Sequence, residues 1–441
     1  MQVVADLHLH SKYSRAVSRE MVLPIMAEWG EKKGIDLLAT ADWTHPLWFK
    51  ELETQLEEDG EGIFKVKGSK SKTKYVLSGE ISNIYTHGGK GRRIHTVFMA
   101  PSLGVVAKIN EELKKRGGNL MSDGRPILGF SMEQMCEIVW GVDKRVIVMP
   151  AHIWTPWFSM FGSKSGFNSV EECFGKYADK ITAIETGLSS DPVMNWRIKD
   201  LENRAIVSSS DAHSPRKIGR EATILEVKGK KMTFEALRQG LTKEGGEKAK
   251  ILYTIEFHPE EGKYHYTGHR NCKVVQSPDE TRKKGAVCHV CGKQLTVGVM
   301  HRVEELAEDK KDLKPIKKIS KAGVVGYYNP KDKDRPPYVM TVPLQEIVSE
   351  AVGVGVGSKK VQEMYEQMIA ELGNEFDVLL KIDLQKIVGV AGDRIAEAIK
   401  KVRSGNMAVE PGYDGEFGKV KIWGEDEDKS KIKSTEQQVL F

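Results

Sequence analysis

Seven short apolar runs, each carrying or leading into a histidine or a carboxylate, constrain this chain more than any other feature. They are Val3–Leu7, Asp36–Thr40, Tyr75–Leu77, Ile94–Met99, Val146–Met149, Ile181–Ile184 and Ile206–Val207, separated by helix-like or glycine-rich segments. Near-continuous apolar strands alternating with helical stretches predict parallel strands covered on both faces. Seven such units predict a β/α barrel over residues 1–250, and an open doubly wound sheet fits the same pattern.

The residues at the strand ends carry the chemistry. The first strand runs into Asp6-Leu7-His8-Leu9-His10, the second ends at Asp42-Trp43-Thr44-His45, and the third at Gly79-Glu80. The fourth contains His95, the fifth ends at His152, the sixth at Glu185 and the seventh at Asp211-Ala212-His213. In parallel α/β folds these ends converge on one face. A single His there is more often a satisfied polar residue than a ligand, but seven together predict a metal cluster. Residues two apart on a strand share a side, so one ion can take both imidazoles of His-x-His. Imidazole and carboxylate without thiolate suit zinc, manganese or iron(II), and a bridging carboxylate allows more than one ion.

The second half reads differently. His269-x2-Cys272, fifteen residues, then Cys288-x2-Cys291 is the spacing of a structural zinc site, predicting a zinc-binding domain over 251–305. His265 is an alternative ligand, and Cys136 and Cys173 are expected to be ordinary buried residues. The net charge is +5, and residues 251–340 hold 17 Lys/Arg against 12 Asp/Glu, a footprint for a polyanion or an uneven solvated surface. Lys65 to Lys74 adds five lysines, expected on a mobile loop. Residues 306–425 are expected to be helical, with Val361–Leu372 followed by two helices in Leu379–Val402 around Gly389-Val390-Ala391-Gly392. A DNA-binding helix-hairpin-helix and a plain helical hairpin both fit. Residues 426–441 read as a disordered tail ending in Gln437, Leu440 and Phe441, a pattern resembling the peptide captured by replication sliding clamps. No run of about 18 uncharged apolar residues occurs, so neither a membrane span nor a membrane partner is expected. Five cysteines, two in a Cys-x-x-Cys, suit a reducing compartment, and a cytoplasmic, nucleoid-associated protein is expected.

Asp6-Leu7-His8-Leu9-His10, Gly79-Glu80, Pro150-Ala151-His152 and Ser210-Asp211-Ala212-His213 resemble the motifs of the polymerase and histidinol phosphatase (PHP) superfamily. That resemblance implies an α/β fold with a distorted seven-stranded barrel, and two or three divalent ions (zinc, manganese or magnesium) that hydrolyse phosphoesters. Its ligands would be His8, His10, Glu80, His95, His152, Asp211 and His213, with Glu80 bridging. The family often carries a further His where this chain has Ser14-Arg15, and Asp-His where Asp42 is followed by Trp43, with His45 two residues later. Those positions build a third ion site, for which His45 is a candidate. Glu185 would support the ligands rather than bind.

The whole arrangement is similar to the endonuclease Q family, through these motifs, Gly187-Leu188-Ser189-Ser190-Asp191-Pro192, the His/Cys3 spacing, and Glu410-Pro411-Gly412-Tyr413-Asp414-Gly415. It implies hydrolysis of DNA 5′ of deaminated bases (uracil, hypoxanthine, xanthine) and abasic sites by metal-activated water, with damaged DNA and the sliding clamp as partners. The catalytic set would be His8, His10, Asp42, Glu80, His152, Asp211 and His213, with Asp42 or His45 relaying a proton. Arg15, Arg92 or Arg93 could clamp the phosphate, and Trp154, Trp157 and Phe158, in the aromatic stretch after His152, could stack on a flipped base. That stretch fits a hydrophobic plug over the barrel rim equally well. A small-molecule phosphomonoesterase of the histidinol-phosphatase kind, a non-catalytic clamp-associated DNA-binding scaffold, and an exonuclease are the alternatives.

Overall fold

The computed structural model describes residues 1–309 and 313–424, and all seven expected strands form. They are β1 (Gln2–Asp6), β2 (Leu37–Ala39), β3 (Lys74–His87), β4 (Lys90–Ala100), β5 (Ile147–Pro150), β6 (Ala183–Glu185) and β7 (Ala205–Val207). They form a distorted barrel rather than an open sheet. β1, β2 and β3 pair in parallel, and β6 pairs in parallel with β7. Single bonds close the ring: Ile153 N donates to Glu185 O (3.2 Å) between β5 and β6, and His10 N to Ala212 O (3.2 Å) between β7 and β1.

One strand departs from expectation. β4 runs antiparallel to both neighbours, β3 through a long hairpin and β5 on its other side. His95 therefore enters the cleft from mid-strand, opposite Ser82 in the hairpin register, and not from a strand end. Val3, Ala5, Leu7, Val76, Val97, Met149 and Val207 fill the interior beneath the cleft. Helices Leu23–Lys33, Leu103–Lys115 and Met132–Val142 cover the outside; the last begins with a capping box between Ser131 and Gln134.

β8 (Ala222–Val227) and β9 (Ala249–Glu256) continue the barrel sheet, so position 250 falls inside a strand. The segment expected to be helical from 306 opens with strands Ile316–Ile319, Val325–Tyr328 and Tyr338–Met340, which extend that sheet from β9. Only then come the helices Leu344–Val352, Lys359–Leu372, Glu375–Leu380, Leu384–Ala391 and Asp393–Ser404. A hairpin, Ala408–Glu410 with Lys419–Lys421, folds back on residues 259–270 through Gly412 N to Glu260 O (2.8 Å) and Gly418 N to Glu261 O (3.1 Å). At the two ends of the lysine-rich segment, Lys65 and Lys74 both pair with Asp59. Gln437, Leu440 and Phe441 lie outside the described residues. Among the described residues no helix is long and apolar enough to cross a membrane.

The helices dock on the barrel through an ion pair removed from water. Lys33 Nζ lies 2.7 Å from Glu375 Oε2 with both side chains buried, and Glu375 also accepts Leu344 N at 3.0 Å. Removing one partner of such a pair strands the other charge, at a cost of about 3–5 kcal/mol. Glu375→Ala is therefore expected to lower the denaturant midpoint sharply, and Lys33→Met/Glu375→Leu to recover most of it. An unchanged midpoint in the single variant would contradict this packing.

Candidate metal centre

Two groups of ligand atoms meet in the cleft: His8, His10 and Asp211, and Glu80, His95 and His152, each group lying within 4.8 Å. Glu80 stands between them. Its Oε2 is 3.2 Å from His10 Nε2 and 3.6 Å from His8 Nε2, while Oε1 is 2.8 Å from His95 Nδ1 and 3.3 Å from His152 Nε2. One carboxylate thus turns an oxygen to each group, the geometry of a bridging ligand. His8 Nε2, His10 Nε2 and Asp211 Oδ1 are buried and make no hydrogen bond, although the last two are 3.1 Å apart. Leaving each unsatisfied costs about 1–3 kcal/mol, a penalty that one cation would remove from all three. The residues present therefore fit divalent ions, and their nitrogen and oxygen donors suit the zinc–manganese class.

The charges agree with that reading. Burial opposes ionising Glu80, but the His95 imidazole, the Arg125 guanidinium and His8 outweigh it and hold the carboxyl well below the usual range. Burial pushes His95 down to about 4, against the attraction of the Glu80 carboxylate. Its Nε2 faces Ser82 Oγ at 3.1 Å, so Nδ1 is left for Glu80 and an ion.

A second layer aims the imidazoles. Glu185 receives His8 Nδ1 at 2.9 Å and His152 N at 2.9 Å. Asp42 receives His10 Nδ1 at 3.3 Å, Ser11 N and Oγ at 2.7 Å each, and Ser14 Oγ at 2.8 Å. Each carboxylate fixes the far nitrogen of a histidine and so directs Nε2 into the cleft. Asp42, expected among the catalytic groups, stands behind His10. The backbone is strained at the same points: Asp42, His152 and Asp211 have φ of 44°, 31° and 48°. Such left-handed residues cost about 1–3 kcal/mol each and mark positions that the surrounding fold enforces. Gly187 is required here, because a Cβ on it would collide with that of His152.

The remaining expected residues divide. His213 lies beside His10 with rings 4.6 Å apart, its Nδ1 2.8 Å from Asp211 O, and its side chain is 37% exposed. His45 belongs to neither group: it is buried and stacks on Tyr13 at 4.4 Å. Trp154 is fully buried and donates to Asn195 Oδ1 at 2.8 Å, so it is core and not open to a base. Phe158, half-buried, packs 4.8 Å from His95, and Trp157 meets Tyr264 at 5.5 Å. Arg92 donates to Gly166 O and lies 4.1 Å over Phe167, a structural role, whereas Arg93 is exposed with its guanidinium 5.5 Å from the Phe158 ring. Arg15 is exposed on the loop after His10.

The cation that reaches the centre is one the sequence did not single out. Arg125 Nη1 lies 2.9 Å from Glu80 Oε2 on a loop pinned by Gly124 N to Tyr13 O (3.0 Å) and Thr44 Oγ1 to Gly124 O (3.2 Å). It sits in Gly124-Arg125-Pro126, away from any ligand motif; only the close fit of Gly124 against Asp42 and Ser14 marks the loop.

Outside the barrel, His269, Cys272, Cys288 and Cys291 gather within 4.8 Å, and three thiols with one imidazole suit zinc. Gly292 at φ 70° makes the knuckle, its N donating to Cys288 O at 2.8 Å. His265 is not in the group, and Cys136 and Cys173 are buried and free, as expected. Leu384–Ala391 and Asp393–Ser404 join through Gly392 at φ 81°, and a Cβ at Gly389 or Gly392 would meet nothing within 4 Å.

Comparison with known proteins gives a consistent answer. The family model described as the MJ0043 C-terminal domain matches residues 343–406. The MJ0043 protein of Methanocaldococcus jannaschii is 32% identical over 271 residues, which is 60% of this chain but only 31% of that longer protein. The crystal structure of the lesion-specific endonuclease PfuEndoQ from Pyrococcus furiosus superposes with a TM-score of 0.80 at 32% identity, covering 99% of both chains. A structure of endonuclease Q with a 27-mer duplex substrate, an abasic lesion at its active site, gives 0.81 at 33% identity over 97% of this chain and 98% of that one. With that identity extending over nearly the whole of both solved chains, the protein belongs to the endonuclease Q family.

Proposed function

We propose that this protein is a metal-dependent DNA repair endonuclease that hydrolyses the phosphodiester 5′ of deaminated bases and abasic sites. The observation that carries the reading is Glu80 set between two ligand groups, in a chain that superposes almost end to end on an endonuclease Q bound to an abasic duplex. A non-catalytic scaffold would have no need of three buried, unsatisfied ligand atoms. A small-molecule phosphatase would leave the Cys3His group and the helical hairpin without a role.

His8, His10 and Asp211 would hold one ion and His95 and His152 a second, with Glu80 shared and His213 beside His10. Divalent ions there supply positive charge for the phosphate oxygens and an acidified water. The chain's own groups do the positioning. Glu185 and Asp42 keep His8 and His10 turned inward, while Phe158 and Arg93 border the centre on the side of His95. Arg125, held beside Glu80, presents a guanidinium to an anionic ligand in the cleft; its planar fork matches two phosphate oxygens. Recruitment by a sliding clamp through Gln437, Leu440 and Phe441 is proposed from the sequence.

End-labelled duplexes carrying one deoxyuridine, deoxyinosine or abasic site test the reading. A nick directly 5′ of the lesion is expected with added divalent metal, and none with His8→Ala or Asp211→Asn. Equal cutting of undamaged DNA, or no cutting, would contradict it. Arg125→Ala is expected to lower kcat by about 100-fold, the usual loss when one stabilising donor is removed, with ion content unchanged and Arg125→Lys recovering part. Wild-type kcat in Arg125→Ala would exclude a phosphate role for that residue.

A further inference from the structure

Phe417 is exposed to 70%, yet the loop that carries it is built rigidly. Tyr413 and Glu416 exchange backbone bonds of 3.1 and 2.8 Å across the tip, and Asp414 and Gly415 both take left-handed φ, 43° and 92°. Gly415 N donates to Lys263 O at 2.9 Å, and Asp414 Oδ2 receives Arg270 N at 2.8 Å. Gly412 and Gly418 lie so close to residues 260–262 that a Cβ on either would collide with backbone atoms there. A phenylalanine on a floppy loop could bury itself against its own surface. Here the backbone bonds hold it out in water.

Two observations point to its occupant. Lys263 Nζ lies 4.4 Å from the Phe417 ring, and Arg270, Lys419 and Lys421 belong to the same hairpin and its support, so the tip is aromatic and cationic together. The acids of the hairpin and its support are Asp414, which receives Arg270 N, Glu410, which pairs with Lys419 at 3.8 Å, Glu416, and Glu260 and Glu261 beneath it. The tip is also continuous with the metal centre. His95 touches Phe158 at 4.8 Å, the adjacent Trp157 meets Tyr264 at 5.5 Å, and Lys263, next to Tyr264, covers Phe417. Two pairs of chain neighbours, Trp157 with Phe158 and Lys263 with Tyr264, thus link a candidate ion ligand to the exposed ring. Nucleic acid offers both the flat apolar faces and the phosphates that such a tip fits.

We propose that Phe417 is a stacking wedge, entering the duplex beside the nucleotide held at the metal centre and filling the gap that an extruded or missing base leaves. This rests on the DNA reading above. Every base has a π-face, so the contact is indifferent to sequence and responds to a break in the stack.

The test uses the full-length protein and a duplex with an abasic analogue flanked by 2-aminopurine, observed by stopped-flow before nicking. Wild type is expected to quench the 2-aminopurine on binding. Phe417→Ala should lose the quench and bind about 10- to 100-fold more weakly, the equivalent of one stacked base, and Phe417→Trp should restore both. Wild-type binding with affinity and quench untouched in Phe417→Ala overturns the wedge alone. So does a Phe417→Ala defect confined to association with another protein. A wild type that does not bind the duplex overturns the wedge and the DNA reading together.

Discussion

Glu80 is a buried carboxylate with imidazoles on both sides, and the rest of the centre is arranged around that contact. Its two oxygens face different histidine pairs at 2.8–3.6 Å, so neither pair can be moved without disturbing the other. The β3–β4 hairpin holds it, because Glu80 and Ser82 lie on the same face of one strand and Ser82 is paired opposite His95 on the other. An isolated buried carboxylate would protonate; this one is kept charged by His95, Arg125 and His8. The fold has concentrated charge that only a cation-rich site can satisfy, and Arg125 is the protein's own contribution to it.

The cost of that arrangement appears in the backbone. Left-handed conformations at Asp42, His152 and Asp211 are enforced by neighbours that leave no room to relax: Gly124 against Asp42, Gly187 against His152, and Ser210 bonded to the buried Asp6 (2.6 Å) just before Asp211. Asp6, Asp42 and Glu185 are charged residues spent on orientation. They turn ligands that would otherwise rotate into a preorganised set, and this is why residues far apart in sequence act as one site.

Much of this was legible in the sequence. The seven strands follow from apolar runs bounded by polar residues, and the meeting of His8 and His10 from the two-residue repeat of an extended chain, whereas Asp211 is left-handed and His213 stands outside both ligand groups. Strand direction was not legible, since an apolar run reads the same both ways, and so β4 emerged antiparallel. Trp154 and Phe158, four residues apart in one aromatic stretch, went opposite ways, one into the core and one beside His95, because burial there is decided by partners such as Asn195 from distant segments. His45, a ligand candidate from its place after Asp42, lies outside both ligand groups and stacks on Tyr13. Arg125 carried no local signal at all, because its position is set by a loop packed against Asp42 and Ser14. Phe417 looked unremarkable in a glycine-rich stretch until the docked hairpin showed it held in solvent.

The central claim is that one carboxylate joins two ion sites, and the metal content of purified protein measures it most directly. Wild type should carry two or three divalent ions in the barrel beside the zinc of the Cys3His group. Glu80→Ala should lose the barrel ions together while keeping that zinc and its fold by circular dichroism. A Glu80→Ala protein that retains the full barrel complement, or a wild type that binds ions only at the cysteines, would contradict the account.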